Sequence, residues 1–453
     1  MKKIQGEYRS VKHRPGNVYA YEIAVPEKTE AEYALLVQHD GLNQAECNVL
    51  ERLAEEGAVP QCVCLGILPG HQAATGEGGY DRDMRMNDYD MLHRGYADML
   101  VEELIPYVIR THGLSISDDP NMHMISGGSS GGISALNAAW FRNDYFRRVY
   151  MSSPSFLAMG RGDEMPVWLR KFETKPIRIF TEYSENEPDD YFGSSLCAAM
   201  EAERALRFAG YDFACAYYPG DGHCAHRMDE AALEPVMRFL WKNWATEPVR
   251  PARLSPRMEK MISLEHPWQE TEETFPQKDK VLACGGEYVC RNGTVFFVKD
   301  GKSVPVLEGV GPEATAAVSS DLWRLYISRP DRDCVRVASI CLDGSLKDQK
   351  LFCALHLAVD FDIPGATDLC VDCEDRVYAA TRLGIQAIRS YGLIDGIIPL
   401  PGDAVPEKLA FGGENRQWMY ALAQGKVYKR WWKTAGRAED GRCEMPRQSW
   451  YYD

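Results

Sequence analysis

Two rhythms of apolar and polar positions alternate through the first 245 residues. Short apolar runs at 18–25, 32–38, 60–66, 121–126, 147–152, 176–182 and 212–218 predict strands. Segments with apolar residues three and four apart, at 45–57, 93–110, 132–142, 194–209 and 229–243, predict helices. Strand and helix taking turns argue the α/β class, with a doubly wound and mostly parallel sheet. The stretches 69–92 and 154–175 read as long insertions, and long loops at strand ends shape pockets.

The rhythm then breaks. Pro248, Pro251, Pro256, Pro267 and Pro276 fall among charged residues, a linker composition. From residue 280 helical periodicity largely vanishes and strand pairs replace it, at 288–298, 317–327, 369–381 and 409–428. Each pair holds a turn signal followed by an aromatic: Gly293 with Phe297, Asp321 with Tyr326, Asp375 with Tyr378, Asn415 with Tyr420. Weak repeats of about 40 residues suggest propeller blades, hence a C-terminal all-β, partial propeller-like domain. The expected organisation is a domain over 1–246, a linker over 247–279 and a second domain over 280–453.

The strand at 121–126 runs into Gly127-Gly128-Ser129-Ser130-Gly131-Gly132, and a helix leaves it. Strand, glycine-rich turn, serine and helix together read as the nucleophile elbow of an α/β-hydrolase. Ser129 and Ser130 each sit in a G-x-S-x-G frame. The Ser129 frame is favoured, because it leaves Gly132 to pack the helix start. In this fold the serine precedes the acid and the acid precedes the histidine. The strand at 176–182 opens into a carboxylate-rich loop holding Glu182, Glu185, Glu187, Asp189 and Asp190. The strand at 212–218 leads into a glycine-rich turn with His223 and His226. Ser129, Glu187 and His223 each follow a predicted strand in the required order. Glu187 competes with its neighbouring carboxylates, and His223 with His226, which is the alternative pocket-lining or capping residue.

These residues bring a family into view. Segments 33–41, 85–90, 125–132 and 220–223 resemble the enterochelin-esterase-like and esterase-D-like branch of the α/β-hydrolases, which includes feruloyl and acetyl-xylan esterases. The resemblance implies Ser129 as nucleophile, His223 as base and Glu187 as acid, in a serine esterase without a cofactor. It also implies an oxyanion hole from the backbone N–H groups of Ser130, Gly41 and Leu42. Asp40 would orient the loop at 40–42, Arg85 and Tyr89 would lie at the pocket rim, and Asp40, Arg85, Tyr89 and His226 are the candidate substrate contacts. The C-terminal segments 371–384, 397–401 and 411–414 resemble later blades of the SMP-30/gluconolactonase propellers. That family's asparagine and aspartate metal ligands fall at Glu313 and Thr367 here, so the resemblance implies no metal.

Composition narrows the partners. A net charge of −15 disfavours nucleic acid and anionic membranes. The residues after Met1-Lys2-Lys3 are polar, so no signal peptide is expected. Fourteen cysteines, many inside apolar runs, fit reduced thiols and a cytoplasmic location. Cys370 and Cys373 form a lone C-x-x-C, better read as two strand residues than as half a zinc site. The expected partner is a small-molecule or oligosaccharide ester, with a homodimer through the C-terminal domain as a further expectation. The competing readings are a non-catalytic carbohydrate-binding or assembly protein and a sugar-lactone hydrolase, which would place a metal near Glu313 and Asp368.

Overall fold

Four central strands are buried along their whole length, which is why they read as unbroken apolar runs rather than as alternation. They belong to the first of two compact units in the computed structural model. The first unit comprises Met1–Arg170 with Thr174–Arg253, and the second Lys171–Glu173 with Leu254–Asp453. The structure describes residues 1–27, 30–74, 76, 79–278, 280–359 and 365–437. Among these, no helix is long and apolar enough to cross a membrane.

In the first unit the elements follow in the order β1 (Lys2–Arg9), β2 (Val18–Val25), β3 (Ala34–His39), α1 (Gln44–Glu55), β4 (Cys62–Ile67), β5 (His71–Gln72), β6 (Arg82–Asp83), α2 (Gly95–Met99) and α3 (Ile105–His112). Then come β7 (His123–Gly128), α4 (Ser130–Phe141), β8 (Arg148–Ser152), α5 (Met165–Lys171), β9 (Arg178–Asn186), β10 (Asp189–Asp190), β11 (Gly193–Ser194), α6 (Ser195–Ala209), β12 (Asp212–Gly222) and α7 (Glu230–Leu240). The main sheet runs β12-β9-β8-β7-β3-β4-β2-β5-β6, with β1 paired to β2. From β4 to β12 the neighbours are parallel, and β2 joins β4 antiparallel. Parallel pairing carries the ends of β3, β7, β8, β9 and β12 to one edge of the sheet. On one face α1 and α7 bury Val49, Leu53, Val236 and Leu240 against Leu36, Cys64, Met124 and Tyr150. Each such side chain contributes roughly 1.5–3 kcal/mol.

The α/β reading of this unit holds, and the structure adds elements to it. The first strand, β1, pairs with β2 over its whole length, from Lys2↔Val25 to Arg9↔Val18. Its largely exposed and largely polar sequence gives no apolar run to detect. The insertion at 154–175 contains α5, and that at 69–92 contains the hairpin β5–β6. The long helix expected at 93–110 is α2 and α3 joined through a π-helical turn, Leu100–Leu104.

Among the described residues the second unit holds four antiparallel sheets of four strands in a propeller-like ring. One holds β14 (Leu282–Ala283), β15 (Gly286–Arg291), β16 (Gly293–Lys299) and β17 (Lys302–Gly311). The next holds β18 (Thr315–Val318), β19 (Arg324–Ser328), β20 (Cys334–Ile340) and β21 (Leu346–Ala354). The third holds β22 (Asp368–Val371), β23 (Val377–Thr381), β24 (Gly384–Ile388) and β25 (Ile394–Ile398). The last joins β26 (Lys408–Gly412), β27 (Trp418–Ala423) and β28 (Lys426–Trp431) to β13 (Gln269–Thr271). β13 lies in the proline-rich stretch read as a linker, and its Glu270 pairs with Tyr428. A strand from the start of the domain thus completes the sheet at its end.

A buried carboxylate ties the β22–β23 hairpin to the segment after β28. Asp372 accepts hydrogen bonds from the Tyr378 hydroxyl at 2.8 Å, Thr434 Oγ1 at 3.0 Å, Arg376 Nη1 at 3.1 Å and two backbone N–H groups at 2.9 Å. Asp372→Ala strands these donors in a dry interior. It is expected to destabilise the second unit by roughly 3–5 kcal/mol, read by urea unfolding of the full chain.

Candidate active site

Strand β7 ends in a turn that only a strained residue can make. Ser129 takes φ 55° and ψ −126°, and Ser130 is the first residue of α4. A Cβ on Gly127 would lie 2.2 Å from the Gly131 carbonyl oxygen, so a side chain there would block the turn. Positive φ recurs at Asp40 (63°), Ser153 (44°) and Cys224 (55°), beside the ends of β3, β8 and β12. Such strain costs about 1–3 kcal/mol per residue and concentrates at functional sites.

The loops converge through hydrogen bonds. Ser129 N–H donates to Ser152 O at 2.9 Å, and Ser153 N–H to Glu182 O at 2.8 Å. Ser153 Oγ donates to Glu187 Oε1 at 2.5 Å and accepts from Cys224 N–H at 2.9 Å. Glu187 Oε1 also accepts Ser184 N–H at 3.0 Å, while Oε2 meets His223 Nδ1 at 2.5 Å. Glu187 is the carboxylate on His223. Glu182 accepts the Tyr150 hydroxyl at 2.8 Å, Glu185 accepts Gly220 N–H at 2.8 Å, and Asp189 and Asp190 are exposed in the β10–β11 hairpin. Burial pushes the Glu187 carboxyl up, but the bonds from His223, Ser153 and Ser184 outweigh it and hold the group below its ordinary range.

Ser129 and His223 do not share a hydrogen bond in this structure. Ser129 Oγ meets Ser155 Oγ at 3.2 Å. The chain neighbours of the pair nevertheless lie close together, since a Cβ built on Gly128 would come within 3.1 Å of Cys224 Sγ. His226 is turned elsewhere, bonded to Asp221 at 2.8 Å and stacked on Tyr218.

The expected oxyanion donors divide. Gly41 N–H donates to Ile67 O at 3.1 Å, so that amide is already used and drops out of the expected set. The Leu42 and Ser130 N–H groups have no hydrogen-bond partner among the described residues. Tyr89 is fully buried: its hydroxyl accepts Asp40 N–H at 3.3 Å and donates to Ile67 O at 3.4 Å. It supports the loop rather than lining the rim. Asp40 and Arg85 form a bidentate pair, both bonds at 3.1 Å, with the arginine side chain 34% exposed. Ser153, Ser155 and Cys224 have no sequence signal of their own; only the folded loops bring them to the site.

Cys224, next to His223 in the chain, donates its thiol to Ser152 O at 3.5 Å. Its thiol, ahead of Glu187, raises the His223 imidazole from 6.5 to about 10, against the lowering effect of burial. A base must be neutral to take a proton, so a raised value moves the acid limb of the kcat/KM profile to higher pH. Cys224→Ala removes the larger cause and is expected to move that limb toward neutral pH. An unmoved limb in the pH–rate profile would remove Cys224 from this role.

In the second unit Glu313 is exposed, and Thr367 Oγ1 donates to Glu407 O at 3.0 Å. Asp368 accepts Lys278 Nζ, Thr315 Oγ1 at 3.2 Å and Leu409 N–H at 2.9 Å. Among the described residues no group of three or more His, Cys, Asp or Glu side chains is placed to hold a metal ion.

A parallel sheet with a strained serine after a central strand, and an acid and a histidine after later ones, defines an α/β-hydrolase-type unit. Residues 13–283, more than half of the chain, match the family described as "Putative esterase", and the chain belongs to that family. Among solved structures, a ferulic acid esterase is 18% identical, with a TM-score of 0.40, over 53% of this chain and 98% of the other. The enterobactin esterase FES from Shigella flexneri is 18% identical with a TM-score of 0.40 over 53% of this chain, which spans only 60% of that protein. An IroE-like serine hydrolase from Shewanella oneidensis is 17% identical with a TM-score of 0.42, over 54% of this chain and 82% of the other. No curated protein matches the chain.

Proposed function

We propose that the chain is a serine carboxylic-ester hydrolase working through an acyl-enzyme on Ser129. The observation that carries the reading is the short His223–Glu187 contact, on loops that follow β12 and β9, beside the strained serine after β7. Ser129 Oγ attacks the ester carbonyl carbon while His223 Nε2 takes its proton. The Leu42 and Ser130 N–H groups receive the developing oxyanion. The imidazolium then protonates the departing alcohol, leaving an acyl-serine. Water repeats the sequence and releases the acid. Glu187 stays ionised, holds the ring through Nδ1 and stabilises its charge. Substrate entry has to exchange the Ser129–Ser155 bond for one to His223, a tightening common when a substrate binds.

The resemblance of the four N-terminal segments favours acylated carbohydrates or aromatic-acid esters of the feruloyl and acetyl type. A second reading, a non-catalytic carbohydrate-binding or assembly protein, draws on the Ser129 hydroxyl meeting Ser155 rather than His223. A fluorophosphonate probe with mass mapping separates the two. Labelling at Ser129 supports the esterase, and an unlabelled folded protein supports the alternative.

A further inference from the structure

The base loop and the oxyanion loop are clasped together by one arginine and one asparagine. Arg227, in the same loop as His223, lays its side chain along Gly128. A Cβ there would lie 2.9 Å from Arg227 Cδ and 3.2 Å from Nε. A side chain at the residue before Ser129 would therefore have to displace the arginine. Arg227 Nη2 donates at 2.8 Å to His39 O, the last carbonyl of β3 and the entry to segment 40–42. The exit of the segment is tied to the same residue, because Asn43 Nδ2 donates at 3.0 Å to Arg227 O.

Asn43 is itself held firmly. Its Oδ1 caps α1 by accepting Ala45 N–H at 3.0 Å, and its Nδ2 also donates to Glu46 Oε1 at 3.0 Å. Its backbone exchanges two bonds of 3.2 Å with the Gln38 side chain. Arg227 Nε is buried without a partner among the described residues. An arginine kept at the desolvation cost of that nitrogen, about 1–3 kcal/mol, holds something that matters.

We infer that Arg227 and Asn43 are positioning residues that fix the Leu42 amide relative to His223, so that oxyanion donor and base are set as one piece. This rests on the esterase reading. Neither side chain hydrogen-bonds to Ser129 or His223; the clasping bonds tie the two ends of the 40–42 segment to the Arg227 loop. They act through the placement of a donor, where an error of 1 Å costs about 10²-fold in rate.

The test uses the full chain with Arg227→Met, Arg227→Lys and Asn43→Ser. Serine keeps an oxygen to cap α1 and removes the amide donors. Arg227→Met and Asn43→Ser are each expected to lower kcat and the fluorophosphonate labelling rate about 10²-fold, with KM changed less than about threefold. The double variant should lose little beyond either single one, because both open the same clasp. Arg227→Lys, which still offers a donor to His39 O, should recover at least about tenfold over Arg227→Met, and it keeps the test alive if methionine impairs folding. A kcat within about threefold of the parent together with a lowered Tm would reduce the clasp to a structural brace. A raised KM with unchanged kcat would make Arg227 a substrate contact instead. Parent protein that no probe labels overturns the esterase reading itself, whereas labelled parent and equally labelled variants overturn only this inference.

Discussion

Ser129→Ala is expected to lower kcat/KM on any ester the protein cleaves by about 10³-fold or more, at least about 4 kcal/mol of transition-state stabilisation. The fold should survive. Ser129 Oγ makes a single side-chain hydrogen bond, to Ser155, and the backbone bond that anchors the turn, Ser129 N–H to Ser152 O, is untouched. Alanine does have to adopt φ 55° at this position, a strain already present in the parent. Ser130→Ala is the informative contrast. It removes a hydroxyl that favours the ionised form of Asp90, but it leaves the Ser130 N–H in place for the oxyanion. Its loss should stay within about tenfold. Steady-state kinetics on one substrate with both variants decides the matter: a dead Ser130→Ala beside an active Ser129→Ala would put the nucleophile in the second frame.

Much of the first unit was legible because its four central strands are buried along their whole length. A run such as Cys62–Ile67 announces itself without any partner being known. What escaped was whatever depends on pairing rather than on apolarity. β1 is recruited by its register with β2, and α5 lies in a stretch whose loop-like residues conceal it. The propeller-like ring was legible as repeated hairpins. β13 was not, since three residues among prolines carry no strand signal and form one only because β28 offers an unpaired edge.

The candidate site divides in the same way. Ser129, Glu187 and His223 stand out because turn chemistry and chain order are sequence properties. Choosing Glu187 among five carboxylates depends on where β9 ends, and the fold brings that one side chain to His223 Nδ1. The family resemblance implies Tyr89 at the rim, yet its aromatic ring, packed against His39 at the end of β3, finds a buried position and spends its hydroxyl on the loop. The use of Gly41 N–H by Ile67 O is likewise a matter of how β3 and β4 close at their ends, which no local pattern encodes.

Glu187→Gln is expected to cost about 10³-fold or more, close to His223→Ala, although glutamine has nearly the same shape. The reason is orientation. Glu187 Oε1 accepts two donors, Ser153 Oγ–H and Ser184 N–H, while Oε2 faces His223 Nδ1. A glutamine amide has one oxygen and one NH2 group. Facing two donors, the oxygen takes the Oε1 place and turns the NH2 toward Nδ1. That arrangement favours the tautomer with a bare Nδ1 and a protonated Nε2, which cannot take the proton of Ser129. Adding Ser153→Ala removes one of the two donors that hold the amide and lets it turn. The double variant Ser153→Ala/Glu187→Gln should therefore be faster than Glu187→Gln alone, a reversal that general damage to the site cannot produce. Measured kcat/KM for the two singles and the double decides it. If adding Ser153→Ala lowers the rate further, the amide is not oriented by these donors and the tautomer argument fails.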